Sequence, residues 1–209
     1  MPRKDTTKGP AGARRAYHHG DLPRTMLAEA VRTIDRQGIA ALTLRGVGAK
    51  LGVSRNALYR HFANKDALLL AVAAEGFRLL RVDLQGAWEQ KGGGALGLDA
   101  MGAAYIRFAV QHSSHYRVMF GRALGEAGEA ASPDPSASGD AFGTLVVAID
   151  TLQRTGVLQG GDSLQLARYA WAVVHGVSML AIDGLLRTPA DVEEFTRFAV
   201  ARVRTGIGA

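Results

Sequence analysis

Cysteine is absent from the 209-residue sequence. That excludes disulfides, a thiol nucleophile and a thiolate zinc site, and it suits a reducing compartment. A spanning segment is missing too: the longest apolar run, YAWAVVHGVSMLAI, falls short of the roughly 20 residues that cross a bilayer. The opening MPRKDTTKGPAGARRAYHHG carries charge but no apolar stretch, so it does not read as a secretory leader. There is no convincing alternating strand pattern and no internal repeat. No phosphate-binding glycine motif occurs; KGGGALG at 91–97 follows no strand and reads as a loop. Ser113, Ser114 and His115 lack an orienting acid and an oxyanion-hole motif, so they do not make a catalytic triad. These absences lead to the expectation of a soluble, cytoplasmic, all-α protein that is not an enzyme and has no cofactor, no metal and no membrane partner.

What is present is apolar enough, at 47% hydrophobic residues, to bury a proper core. Charge is divided unevenly. Residues 1–65 hold 13 Lys/Arg against 4 acids, a balance of +9, whereas the remainder is at −3. A basic front on a mildly acidic body suggests a polyanion-binding module, against the plainer reading of a tail that aids solubility. Residues 1–16 are rich in Lys, Arg, Gly, Pro and Thr without periodicity and read as a flexible basic arm carrying Arg14 and Arg15.

Helical periodicity follows. Leu27, Ala30, Val31 and Ile34 share a face, and Gly38 supplies a stop. Thr43 can cap a short helix bearing Leu44, Val47 and Leu51, which Gly52 ends. Ser54 can cap the next, bearing Leu58 and Phe62, and Asn64 a long one with Leu69, Val72, Gly76, Leu80 and Leu84 on one stripe. Further helices are expected at about 98–112, 114–123, 140–156, 162–187 and 190–205, with a loop over 125–140.

The tight Gly52-Val53-Ser54 turn between short helices makes a helix-turn-helix. Burying Leu58 and Phe62 leaves Arg55, Asn56, Ala57, Tyr59 and Arg60 outward, with His61 near the helix end. Arg and Asn can read base edges, and Ala permits approach to a thymine methyl. Tyr, His, Thr and Lys suit phosphates, and Lys65 stands at a helix N-terminus, where backbone N–H groups also favour phosphate. The plainer alternative is a surface helix whose Arg and Tyr side chains only cover apolar surface.

The run GIAALTLRGVGAKLGVSRNALYRHFANKDALLLAV, residues 38–72, resembles the TetR family of bacterial transcriptional regulators. Leu58, Tyr59, His61, Phe62, Lys65 and Leu68 carry the likeness. The resemblance implies backbone contacts from Thr43, Arg45, Tyr59, His61 and Lys65, and an approach to bases by Arg55, Asn56 and Ala57. Gly48 stands where the family often has Ala. Asn56 stands where many members have Gly or a small residue, which puts the target sequence in question. Trp171, His175 and Gly176, with YHHGDL at 17–22, are similar to a TetR subgroup named for its Trp…His-Gly signature.

This divides the chain into the arm, a helix-turn-helix unit at 17–66, and a helical effector-binding and dimerisation unit at 67–209. The helix expected at 162–187 is apolar nearly all round, with Leu166, Ala170, Val173, Val177 and Leu180 on one face, so it needs cover on more than one side. Val192, Phe195, Ala199 and Val203 share a face of the last helix. The resemblance implies that these two helices pair with their mates in a homodimer; the alternative is an internal core helix. It also implies a repressor that binds a pseudo-palindromic double-stranded operator and is released by an unidentified small molecule. Met101, Tyr105, Phe108, Met119, Trp171, His175 and Met179 are candidates to line the effector cavity, against ordinary core packing for each. His112 and His115 are spaced to share a metal but have no acidic partner nearby, so solvated or helix-end histidines are expected. The rival readings are a helical enzyme with an ancillary DNA-binding domain and a non-specific DNA binder.

Overall fold

The computed structural model of the chain describes residues 22–121 and 141–208. The basic arm with Arg14 and Arg15, and the loop at 125–140, lie outside the described residues. Within them run nine α-helices: α1 Leu22–Gln37, α2 Leu44–Leu51, α3 Arg55–Tyr59, α4 Lys65–Gln90, α5 Gly94–Gln111, α6 Ser113–Phe120, α7 Ala141–Arg154, α8 Ser163–Ile182 and α9 Pro189–Gly206. A 3-10 turn, Ile39–Ala41, joins α1 to α2. Extended pairing among the described residues is limited to an isolated bridge between Leu158 and Gly208. The chain is all-α, with the helix-turn-helix at its front.

Three caps set the front helices. The side-chain oxygens of Thr43, Ser54 and Asn64 accept from the backbone N–H of Gly46, Ala57 and Ala67 at 3.0, 3.3 and 2.8 Å. Each satisfies a donor that the first helical turn would otherwise leave unmade, about 1 kcal/mol apiece. Gly52 closes α2 in the left-handed region, at φ 65° and ψ 29°, where a Cβ would be strained. At Gly48, a Cβ would run into Leu58 Cδ1. A glycine there lets α2 and α3 approach closely over the buried Leu58.

Some faces turn otherwise than the pattern suggests. The buried stripe of α1 is Leu22, Met26, Glu29, Ala30, Thr33 and Ile34, and Leu27 and Val31 are only half-buried. The segment read as a loop at 91–97 is a turn only to Gly93; α5 begins at Gly94. Gly97 sits inside that helix because the Trp88 ring packs on it, and a Cβ there would lie 2.9 Å from Trp88 Cε3. The helix expected at 162–187 ends at Ile182, and Gly184 turns the chain at φ 73°. In α9 the buried residues are Thr196, Ala199 and Val203, while Phe195, from the same apolar face, is exposed.

The core is continuous along α4: Leu68, Leu69, Val72, Leu80 and Leu84 share one buried cluster with Met26 and Ile34 of α1 and with Met101 and Tyr105 of α5. Gly76 lies where α4 crosses α6: a Cβ there would meet Met119 Sδ at 2.5 Å and His115 Cβ at 3.3 Å. Gly76→Val is therefore expected to cost about 1–3 kcal/mol through overpacking. A urea titration that showed no loss would mean that the crossing yields freely.

Candidate nucleic-acid interface and ligand cavity

The front of the molecule presents one polar face. Arg45, Arg55, Asn56, Tyr59, Arg60 and His61 are exposed, while Leu58 and Phe62 from the same stretch are buried. Arg45, Arg55 and Tyr59 edge a groove of ≈ 320 Å³ between α2 and α3. The Arg55 guanidinium lies 5.4 Å from the centre of the Tyr59 ring, so the ring braces the cation in an outward position. Ala57 is half-buried against the core and Ser54 is exposed at the cap.

Lys65 is less free than its place at the start of α4 suggests. Its ammonium donates to Ile39 O at 2.8 Å and Ala40 O at 3.5 Å. It therefore ties α4 to the 3-10 turn and keeps at most part of its donor capacity for an anion.

A buried carboxylate stiffens the unit from behind. Glu29 sits among the apolar stripe of α1. Lys50 of α2 reaches its Oε1 at 3.1 Å and Arg32 its Oε2 at 2.7 Å, and Lys50 also donates to Thr33 Oγ1 at 3.0 Å. Burial alone would raise the Glu29 carboxyl, but the hydrogen bonds from Arg32 and Lys50 hold it below 4.5. This cluster was not singled out from the sequence. The available signal was a carboxylate on an apolar helix face, which needs a cation.

The second site lies among the later helices. A small cavity, ≈ 50 Å³, is bounded by α4 through Phe77, Leu80 and Leu84, by α5 through Met101 and Tyr105, by Phe120, by Phe142 of α7, by Trp171 of α8 and by Val200 of α9. Met101, Tyr105 and Trp171 thus line it as the sequence suggests. The other four candidates do not. Phe108 is fully buried with its ring 4.9 Å from that of His112. Met119 is buried beneath Gly76, and Met179 is half-buried against the core. His175 stands behind the lining, hydrogen-bonded to hydroxyls as a core histidine would be.

That hydrogen bonding is a cluster. Trp171 Nε1 donates to Tyr105 Oη at 2.9 Å, and Tyr116 Oη donates to it at 3.0 Å. His175 Nδ1 lies 2.6 Å from Tyr116 Oη and 3.2 Å from Tyr105 Oη. Burial pushes the Tyr116 phenol up to about 12 and Tyr105 well above 10, so both stay protonated and neutral.

Helix α6 connects these regions through four consecutive side chains. Ser114 Oγ donates to Asp35 of α1 at 3.3 Å, and His115 Nε2 lies 3.4 Å from Glu75 of α4. Tyr116 joins the cluster of Tyr105 and His175, and Arg117 donates to Ile182 O and Asp183 at the end of α8. His115 is therefore buried and paired, not solvated. His112 caps α5 with its ring half-buried, and the described residues hold no group of three or more His, Asp or Glu that could bind a metal.

Burial, ahead of the opposing hydrogen bond from Glu75, lowers His115, and burial lowers His175. Both therefore bind a proton more readily in the unfolded chain, where the ordinary value is 6.5. Stability should be full above that value and fall as pH drops below it, because the unfolded state then takes up protons that the folded state resists. His115→Gln and His175→Gln should each flatten the loss below about pH 6.5 in urea midpoints. An unchanged slope in both would dissociate these imidazoles from acid sensitivity.

No described helix is long and apolar enough to cross a membrane. Comparison with known proteins gives two family matches: "Bacterial regulatory proteins, tetR family" over residues 26–72 and "Tetracyclin repressor-like, C-terminal domain" over 98–203. The chain is 27% identical over 171 residues to an uncharacterized HTH-type transcriptional regulator of Mycobacterium tuberculosis, covering 79% of this chain and 72% of that one. It is 43% identical over 51 residues to the class A tetracycline repressor from transposon 1721 of Escherichia coli, a match that spans only 24% of each chain. A solved structure of a protein of unknown function from Rhodococcus sp. RHA1 superimposes with a TM-score of 0.77 at 30% identity, over 94% of this chain and 100% of that one.

Proposed function

Since the chain belongs to the TetR family of bacterial transcriptional regulators, we propose that it is a homodimeric repressor, released from a pseudo-palindromic operator by a small molecule. Residues 17–66 serve as the DNA-binding unit and 67–209 as the effector-binding and dimerisation unit. The observation that carries this reading is that the cavity is lined both by α4, whose first turn is fixed to the helix-turn-helix, and by α8 and α9, which also carry exposed apolar side chains.

Arg55 and Asn56 read base edges from the outer face of α3, with Ala57 close beside them. Thr43, Arg45, Ser54, Tyr59, Arg60 and His61 hold phosphates and so set register. Lys65 adds to this with what donor capacity its carbonyl contacts leave. Arg14 and Arg15 extend the contact along the backbone or into the minor groove.

The dimer forms through α8 and α9. Tyr169, Leu180, Phe195 and Phe198 are exposed large apolar residues on these helices, and Phe198 is 54% exposed. Gly176 is the second support. It lies inside α8, where glycine costs about 1 kcal/mol relative to alanine. Among the described residues, its chain neighbours and its own helix backbone aside, nothing comes within 4 Å of where its Cβ would be. A partner helix crossing there would use the space.

Release follows from geometry. From Lys65 to Leu80, α4 rises about 22 Å at 1.5 Å per residue. A ligand that spreads Phe77 and Leu80 from α5 tilts that lever and moves the recognition helices off the spacing of successive major grooves. A hundredfold release needs about 2.7 kcal/mol of differential binding between the two dimer geometries.

The test is a mobility shift of the DNA upstream of the protein's own gene, with unrelated DNA as competitor. Specific binding should weaken with salt by about 0.9 in log affinity per log unit for each phosphate neutralised. Binding that unrelated DNA displaces equally well would favour the non-specific reading and discard the operator.

A further inference from the structure

Building on the effector-released reading above, we propose that the cavity takes an uncharged aromatic molecule of about one ring, and not an ionised effector. Among the described lining residues Asp99 alone carries a formal charge, and Arg204 occupies it from Nε at 3.1 and 3.0 Å to its two oxygens. Tyr105 turns its ring to the cavity while its hydroxyl is taken up by Trp171, Tyr116 and His175. Among the described residues an entering ion would lose its water and find neither a free counter-charge nor an open hydrogen-bonding partner.

The shape agrees with the charge. Five aromatic rings, those of Phe77, Tyr105, Phe120, Phe142 and Trp171, border the space. They suit edge-to-face packing on a flat ring. At ≈ 50 Å³ the space is smaller than the roughly 150 Å³ apolar cavity that admits benzene. The ring must therefore push lining side chains outward. Met101, unbranched and flexible, can yield by changing rotamer. Gly102 cannot yield, because even a Cβ there would meet Val200 Cγ1 at 2.7 Å, so α5 and α9 are already in close approach. Expansion is thus directed toward α4 and α7.

The experiment is calorimetric titration of the free protein, without DNA, with ethylbenzene, 4-ethylbenzoate and 4-ethylbenzylammonium. These share one ring and differ in charge. Ethylbenzene should bind, and the anion and the cation should each bind about a hundredfold more weakly or not at all. Leu145→Phe and Ala170→Leu each fill the cavity. Whichever of the two keeps the thermal midpoint of the parent should lower ethylbenzene affinity about tenfold or more. Equal or tighter binding of either ion, no binding of ethylbenzene at its solubility limit, or unaltered binding in both filled variants would overturn the proposal. Operator release is scored separately. Ethylbenzene that binds as expected but leaves the operator complex intact would sink the release reading and spare the ligand class. An ion that binds tightly and releases DNA would do the reverse.

Discussion

Phe198→Glu is expected to give a monomer and to weaken operator binding by about 10²–10⁴-fold, the loss of an effective concentration that joins two half-site contacts. Phe198 packs parallel to Phe195 at 6.1 Å between ring centres, and Arg202 lies 5.3 Å from its ring. All three are exposed on α9. A carboxylate on that surface costs the single chain little, since no core contact is removed. Across a two-fold axis it places two carboxylates in an apolar contact, where pairing with Arg202 one turn on offsets only part of their lost hydration. Sedimentation equilibrium reads the assembly directly, and operator titration reads the consequence. A Phe198→Glu protein that remained dimeric would move the interface off α9. A protein that unfolded would show that the chain has no stable monomeric fold, which still requires the α8–α9 face to be covered.

Arg55→Ala and Asn56→Ala should relax sequence preference, each by about 1–3 kcal/mol per half-site where it meets a base edge. A homodimer carries every substitution twice, so discrimination between the operator and a variant changed in both halves falls by about 2–6 kcal/mol. Tyr59→Phe should weaken all sequences alike, because it removes a hydroxyl suited to phosphate and keeps the ring beneath Arg55. Tyr59→Ala is a different experiment: with the ring 5.4 Å from the guanidinium gone, Arg55 loses its brace and base preference should suffer as well. A panel of operator variants, titrated at one salt concentration, separates these effects. Base preference that shifted with Tyr59→Phe and not with Asn56→Ala would exchange the reading and anchoring roles.

Side chains from distant parts of the chain tie the helices to one another. Asp35 and Ser114 are 79 positions apart, Glu75 and His115 are 40 apart, and Asp99 and Arg204 are 105 apart. Each joins two helices: α1 to α6, α4 to α6, and α5 to α9. None belongs to a local pattern, so no spacing rule could have paired them.

The sequence by itself determined the front of this protein. Thr43, Ser54 and Asn64 cap their helices through contacts three residues away, and Gly52 turns the chain through its own backbone, so local chemistry suffices. The stripe from Leu69 to Leu84 on α4 was legible for the same reason: helical periodicity is a local property. Only the tertiary structure decided which face of a doubly apolar helix turns inward. Leu180 and Phe195 look like core residues and are exposed, whereas Thr196 and Ser178 look like surface residues and are buried. Periodicity gives an axis of amphipathicity but no direction when both sides are apolar. The lining of the cavity was legible only in part, in Met101, Tyr105 and Trp171. His175, Phe108 and Met119 were as apolar or amphipathic as Tyr105 and Trp171, and which of them meet empty space depends on how α4, α5, α8 and α9 cross. Crossing angles follow from ridge packing over whole helix surfaces, a property of pairs of helices that neither sequence carries alone.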